Sequence, residues 1–280
     1  MHFMMLILGL GFAWLVRCLP LPCTTNLSLR WQHTLVLFLF SPLLLLMTAI
    51  AILWMGPTGQ MMGHWEGSFS YYLAFGFLVW AIASGGKLAW EGWQTLQHIR
   101  QNPVIQIQGT ITRLLDTSTL YSAQVGFWQP ELVVSQGLLD QLDAEHLAAV
   151  LVHEQAHAQY HDTFWFFWLG WLRRLTGWLP STESLWQELL MLRELRADRY
   201  AAQQVDPLVL AESLLLVVAA PIKEPEWVAA FSPLESRDRL TERINALLDT
   251  SPVQRVSYSW SILGLLLVLL PLATIPLHVG

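Results

Sequence analysis

Residues 150–162 read VLVHEQAHAQYHD, and the reading of the whole chain turns on this run. All but its last residue lies within LDAEHLAAVLVHEQAHAQYH, whose apolar residues recur at helical spacing, with Asp143 the expected N-cap. Inside it stands H-E-x-x-H, formed by His153, Glu154 and His157. Residues four apart on a helix share a face one turn apart, so two imidazoles can hold one metal ion. The residue after the first histidine projects beside that pair, where a carboxylate can act as general base on a metal-bound water.

A catalytic tetrahedral zinc site takes a third protein ligand and keeps the fourth position open. His161 is the nearest candidate, but on a straight helix it lies about 12 Å from His153, too far to share one ion. No glycine breaks the helix between them, so His161 is expected outside the ligand set. Glu194, in E-L-R-A-D on the next long helix, is the better candidate. Asp198 follows one turn later on the same face, where it could accept the free ring N–H of a ligand histidine. Ala197 is small enough to let that helix approach the first closely. Taken alone, Glu194 and Asp198 would read as a solvated face paired with Arg193, Arg196 and Arg199. Beside H-E-x-x-H they read as parts of a metal site.

Composition places this site in an unusual setting. The 280 residues are 54% hydrophobic and 13% charged, with 15 Trp. A soluble domain carries about 25% charged residues, so much of this surface is expected to face lipid. Net charge is −6 and the basic residues are scattered, which argues against a nucleic-acid partner. The two cysteines, Cys18 and Cys23, are too few for a disulfide framework or a four-cysteine metal site.

Four stretches, 2–16, 34–55, 69–86 and 258–278, are apolar enough to be expected to cross a bilayer. No Lys or Arg precedes Arg17, so the first reads as a retained anchor rather than a signal peptide. Arg17, Arg30, Lys87, Arg100, Arg113 and Arg255 flank the spans on one side, while residues 56–68 carry no Lys or Arg. The positive-inside rule then puts both termini outside and residues 87–257 in the cytoplasm. A fifth apolar stretch, 163–180, has only ten residues before Arg173 and Arg174. It reads either as a helix on the membrane surface or as a buried helix of the cytoplasmic part. The sequon at Asn26 falls in a loop expected to be cytoplasmic and is discounted. His64 and His98 are isolated and call for no functional role.

Between the spans, residues 103–135 look β-rich, and QPELVVS is a short strand near 130–135 expected to offer a free edge to an extended substrate. A further helix is expected over about 184–203, with Ser184 and Gln187 as a capping box, and another over 240–248.

Taken together, the stretch 125–162 (VGFWQPELVVSQGLLDQLDAEHLAAVLVHEQAHAQYHD) and the downstream E-x-x-A-D resemble glutamate-liganded zinc metallopeptidases embedded in membranes. Two branches are similar: the BlaR/MecR-type antibiotic sensors, and the HtpX and CAAX-prenyl-protease family. Val125-Gly126-Phe127-Trp128-Gln129-Pro130 is closer to the V-G-x-x-x-P of the sensor branch, as is an arrangement of three spans before the domain and one after. HtpX-like chains place two spans between the zinc helix and the glutamate helix, which 163–180 is too short to form. The chain departs from those sensors by ending at Gly280 without a penicillin-binding domain, so antibiotic sensing is not expected of it.

The resemblance implies an α-helical membrane protein with about four transmembrane helices and a cytoplasmic α+β gluzincin-type domain. Residues 1–90 would be the membrane region with three spans, 91–257 the peptidase domain and 258–280 the last span. His153, His157 and Glu194 would hold Zn2+, Glu154 would be the catalytic base, and Asp198 would support a ligand histidine. Arg243, in an E-R-I segment like that near the site in these families, would contact substrate or oxyanion. The activity implied is endoproteolysis with a zinc-activated water, in regulation or membrane protein quality control. Its substrates would be proteins or peptides, a repressor or the chain itself among them, and the protein would sit in the inner or plasma membrane. The alternative is a membrane scaffold or signalling protein that retains the zinc fold with little activity.

Overall fold

A computed structural model describes residues 2–20, 26–57, 60–61, 64–65, 68–219, 237–248 and 264–279. Cys23, Arg255 and the start of the fourth expected span lie outside these residues. The chain divides into two compact units. The first comprises Met1–Leu88, Leu169–Leu189 and Gln254–Gly280, and the second Ala89–Trp168 and Leu190–Val253.

The first unit is built on helices α1 (His2–Arg17) and α2 (Leu27–Met55) and on the apolar part of α3 (Ser68–Arg100). Asn26, the discounted sequon residue, caps α2, its Oδ1 accepting from the amides of Ser28 and Leu29. Pro42 sits inside α2 and has no N–H for the carbonyl of Phe38. The buried guanidinium of Arg17 fills that gap, its Nη2 donating to Phe38 O at 2.9 Å. Ser41 Oγ donates to Ala13 O, and Ala13, Phe40, Leu44, Leu45, Leu179 and Val268 pack in one apolar core. Ala49, Ala51, Ile52, Met55 and Ala74 form a second.

Among the described residues, α2 and α3 are long and apolar enough to cross a membrane. The other two expected spans differ from the sequence reading. α1 has 16 residues, about 24 Å of helix against a hydrocarbon core of about 30 Å. Residues 264–279 form short pieces: 3₁₀ turns at Leu265–Leu269 and Ile275–Leu277, one α turn at Leu270–Ala273, and two strand residues, His278–Val279. Pro271 and Pro276 lack the N–H a continuous helix requires there. So the structure does not show four transmembrane helices.

The second unit begins with the end of α3 and a four-stranded sheet. Strands β1 (Val104–Ile107) and β2 (Thr110–Leu115) form a hairpin whose two linking residues, Gln108 and Gly109, both have positive φ. That conformation suits a tight turn matched to the twist of the strands. Strand β3 (Ser122–Val125) and β4 (Glu131–Ser135) follow, and the sheet order is β1-β2-β4-β3. β4 runs parallel to β2 and antiparallel to β3. The strand near 130–135 is therefore interior, with Leu132 to Ser135 all buried, and the free edge expected there belongs to β3. A run of apolar residues without alternation marks a strand covered on both faces, and Leu132-Val133-Val134 is such a run.

Ser135 ends β4 and caps α4 (Gln136–Gln141), accepting from the amide of Leu138. The glycine of the following turn is required by space: a Cβ on Gly137 would stand 2.3 Å from Ser118 O. α5 (Ala144–Gln159) starts at its expected cap, Asp143, whose Oδ1 accepts from the amides of Glu145 and His146. α6 (Asp162–Thr176) continues from the second unit into the first, and α7 (Thr182–Ala201) returns. α7 starts before the expected capping box, so Ser184 lies within the helix, and Gln187 bonds Glu183. α8 (Pro207–Ala219) and α9 (Arg237–Leu248) complete the unit. Ala149 of α5, Ala201 of α7 and Leu210 of α8 are fully buried in one cluster.

α6 answers the question left open over 163–180 in part. Within the second unit it buries Phe166 and exposes Trp165 and Trp168, while Leu172 and Leu175 are buried in the first. It is amphipathic, with one face in protein cores and the other carrying aromatic rings outward.

Candidate metal centre

α5 presents His153 and His157 one turn apart, their Nε2 atoms 3.2 Å from each other and the ring planes at 84°. α7 brings Glu194 to the same point: its Oε2 is 3.4 Å from His153 Nε2 and 3.7 Å from His157 Nε2. One donor atom from each of the three residues lies within 4.8 Å of the others. The opposite oxygen, Glu194 Oε1, accepts from Arg193 Nε and Nη2 at 2.8 and 2.7 Å. This leaves Oε2 aimed at the histidines.

The other ring nitrogens face carboxylates. His157 Nδ1 donates to Asp162 Oδ2 at 2.8 Å, and His153 Nδ1 lies 2.9 Å from Asp198 Oδ1. A carboxylate accepts only, so Nδ1 of His157 carries the hydrogen, and Nε2 of both rings points toward Glu194. The donor set of two imidazoles and a carboxylate is one that zinc accepts with an open position, and the three residues fit that ion.

The electrostatics agree. Burial works against charge on His153, but Asp198 and Glu194 outweigh it and push the ring up to about 10. Burial likewise opposes charge on His157, and Glu194 and Asp162 raise it. Glu194 is held well below the usual carboxylate range, because Arg193 and the two histidines overcome its burial. Asp198 is lowered against its burial by Arg243 and His153. The pocket thus draws positive charge, as protons or as a metal ion in their place.

Glu154, next along α5, is buried and accepts from Ser122 Oγ at 2.8 Å on Oε1. Ser122 opens β3, the edge strand that lies beside α5. Arg243 is buried on α9, its Nε and Nη2 donating to Asp198 Oδ2 and Oδ1 at 2.7 and 2.8 Å, with Nη1 3.7 Å from Glu194 Oε2. The structure therefore brings it to the site on the carboxylate that faces His153. His161 is absent from the cluster, but not for the expected reason: α5 ends at Gln159, so His161 lies beyond the helix rather than two turns along it. It has φ 52°, in the left-handed region, and forms the turn that carries Asp162 back under His157. Histidine is among the residues that tolerate this conformation better than most.

Sequence reading did not assign Ser122, Asp162, Arg193 or Arg196 a place in the centre. Asp162 had a legible signal, a carboxylate just past the end of the metal helix. Ser122 had none, because its approach depends on how the sheet packs on α5.

Residues 111–179 match the model of peptidase family M48. The matched stretch runs from β2 through α6 and includes His153, Glu154, His157 and Asp162, but it stops short of Glu194. The match supports the M48 metallopeptidases, a zinc-dependent family, and so indicates a protease. No curated protein matches the chain.

Proposed function

We propose that the chain is a membrane-bound zinc metalloendopeptidase, with His153, His157 and Glu194 as the metal ligands. The observation that carries this reading is the convergence of the three donor atoms, each histidine backed by its own aspartate. Bound there, zinc would supply a Lewis acid that acidifies water and polarises a peptide carbonyl. Glu154 acts as the base, taking a proton from the attacking water on its carboxylate and returning it to the leaving amine. Ser122 Oγ orients that carboxylate through Oε1. Asp198 and Asp162 fix the tautomer and aim of the two histidines. Arg243 acts on His153 through Asp198. The edge strand β3, which starts at Ser122, offers backbone groups with which an extended substrate can pair beside Glu154.

The substrate class is protein or peptide, and the setting is regulatory proteolysis or membrane protein quality control. V-G-x-x-x-P at 125–130 favours the BlaR/MecR-type branch, with a repressor or the chain itself as targets. Residues 91–257 form the peptidase domain in this reading, on the cytoplasmic side of the membrane that α2 and α3 cross.

Purification in detergent, metal analysis and peptide cleavage by wild type and Glu154→Gln test the proposal. Both proteins should retain zinc and only the wild type should cleave. Equal cleavage would refute the role of Glu154, and a wild type without zinc would refute the metal centre.

A further inference from the structure

Each of the two histidines is backed by an aspartate, and each aspartate by an arginine. Arg243 grips Asp198 with two nitrogens. On the other side, Arg196 Nη2 donates to Asp162 Oδ1, while Asp162 Oδ2 takes the ring hydrogen of His157. Both oxygens of this buried carboxylate are thus engaged, which fixes its rotation. Arg196 also lies over the ring of Tyr160, its guanidinium carbon 4.2 Å from the ring centroid. Tyr160 is the C-cap residue of α5, and Asp162 the first residue of α6. Arg196 therefore touches both ends of the turn Tyr160-His161-Asp162, whose left-handed residue sets where Asp162 meets His157. It does so from α7, two residues past Glu194.

We infer that Arg196 is a positioning residue for the metal centre: it acts through Asp162 to hold His157 in register with Glu194. The inference rests on the reading of His157 as a zinc ligand. A residue that merely pinned α5 to α7 would use any contact between the helices. Arg196 instead bonds a carboxylate that reaches a ligand, and lies over the ring of Tyr160. Arginine suits both contacts in a way lysine does not, since only its planar group can stack and direct a fixed fork of donors.

The test is a cycle on the full chain in detergent, with variants Arg196→Gln, Arg196→Lys, Asp162→Asn and each arginine variant combined with Asp162→Asn. The measured quantities are zinc affinity, by competition with a chromogenic chelator, and the visible spectrum of the cobalt(II)-substituted protein. Outer partners of metal-bound histidines contribute about 10–100-fold to metal affinity. Arg196→Gln should weaken zinc about tenfold and shift the cobalt spectrum, Arg196→Lys should weaken it less, and neither should weaken Asp162→Asn further. Wild-type affinity in Arg196→Gln would overturn the inference, as would an equal loss in the Asp162→Asn background. Should the glutamine variant fail to fold, the lysine variant decides by the same two comparisons. A wild type that binds no zinc would remove the metal centre itself, an outcome distinct from an unaffected variant.

Discussion

The two histidines of α5 stand one turn apart and are held in different ways. His153 is held from a distance, by Asp198 of α7 and Arg243 of α9, whose side chains are 2% and 5% exposed. His157 is held locally, by Asp162 in the turn that ends its own helix, and the arginine behind it, Arg196, is 28% exposed. The first arm exists only once three helices have assembled. The second forms its first contact within a few residues of chain. A sealed ion pair is brittle, since removing one member leaves the other charged in a medium that cannot solvate it. An ion pair with an exposed member loses less, because water replaces the missing partner.

Removing the two arginines in turn should separate the two arms. Arg243→Met should destabilise the zinc-free protein by about 3 kcal/mol, the cost of stranding a buried charge. Arg196→Gln should cost no more than about 1 kcal/mol. Denaturant unfolding of the two variants in detergent gives both values. Similar losses would mean that burial does not distinguish the arms.

Chain-local features were legible in the sequence and assembled features were not. H-E-x-x-H, its helix and the cap at Asp143 follow from spacing and residue type, and the structure contains them. Glu194 and Asp198 were legible as a pair because they share a helical face, and the structure brings both to the histidines. The link from Arg243 to Asp198 spans 45 residues, and no local pattern encodes it. Strand position was misjudged for a related reason. The composition of QPELVVS marks a strand, but whether it is an edge depends on where β3 pairs. The membrane helices show the same limit. Apolar composition identified α2 and α3, yet it could not foresee that the Pro271 and Pro276 region forms short turns.

His161 sharpens the local arm. Its left-handed backbone, rather than its imidazole, is what the turn uses. His161→Gly should therefore keep full zinc content and unfold within about 1 kcal/mol of wild type, because glycine adopts positive φ without strain. His161→Val, with a β-branched side chain at positive φ, should lose stability. Loss of zinc in the glycine variant would contradict this reading and return His161 to the ligand set.

The smallest effect belongs to a third histidine, at the exposed end of the same helix. His146 Nδ1 lies 2.7 Å from Asp143 and Nε2 3.3 Å from Glu212, and these carboxylates raise its pKa above 6.5. The protonated form is favoured in the folded chain, so this contribution is complete below pH 6.5. It is lost as pH rises through the folded value. His146→Gln should flatten a small pH dependence of stability above pH 6.5, and added salt should weaken that dependence in the wild type. A large or salt-insensitive effect would mean that this pair resembles the sealed arm.

The central claim is that two imidazoles and one carboxylate hold a single zinc ion. X-ray absorption at the zinc edge of the purified, zinc-loaded protein reads that donor set directly. The expected result is a first shell of nitrogen and oxygen at about 2.0–2.1 Å, with the outer scattering of two imidazole rings, and loss of the site in Glu194→Ala. Three imidazole rings, or a site unchanged in Glu194→Ala, would contradict it.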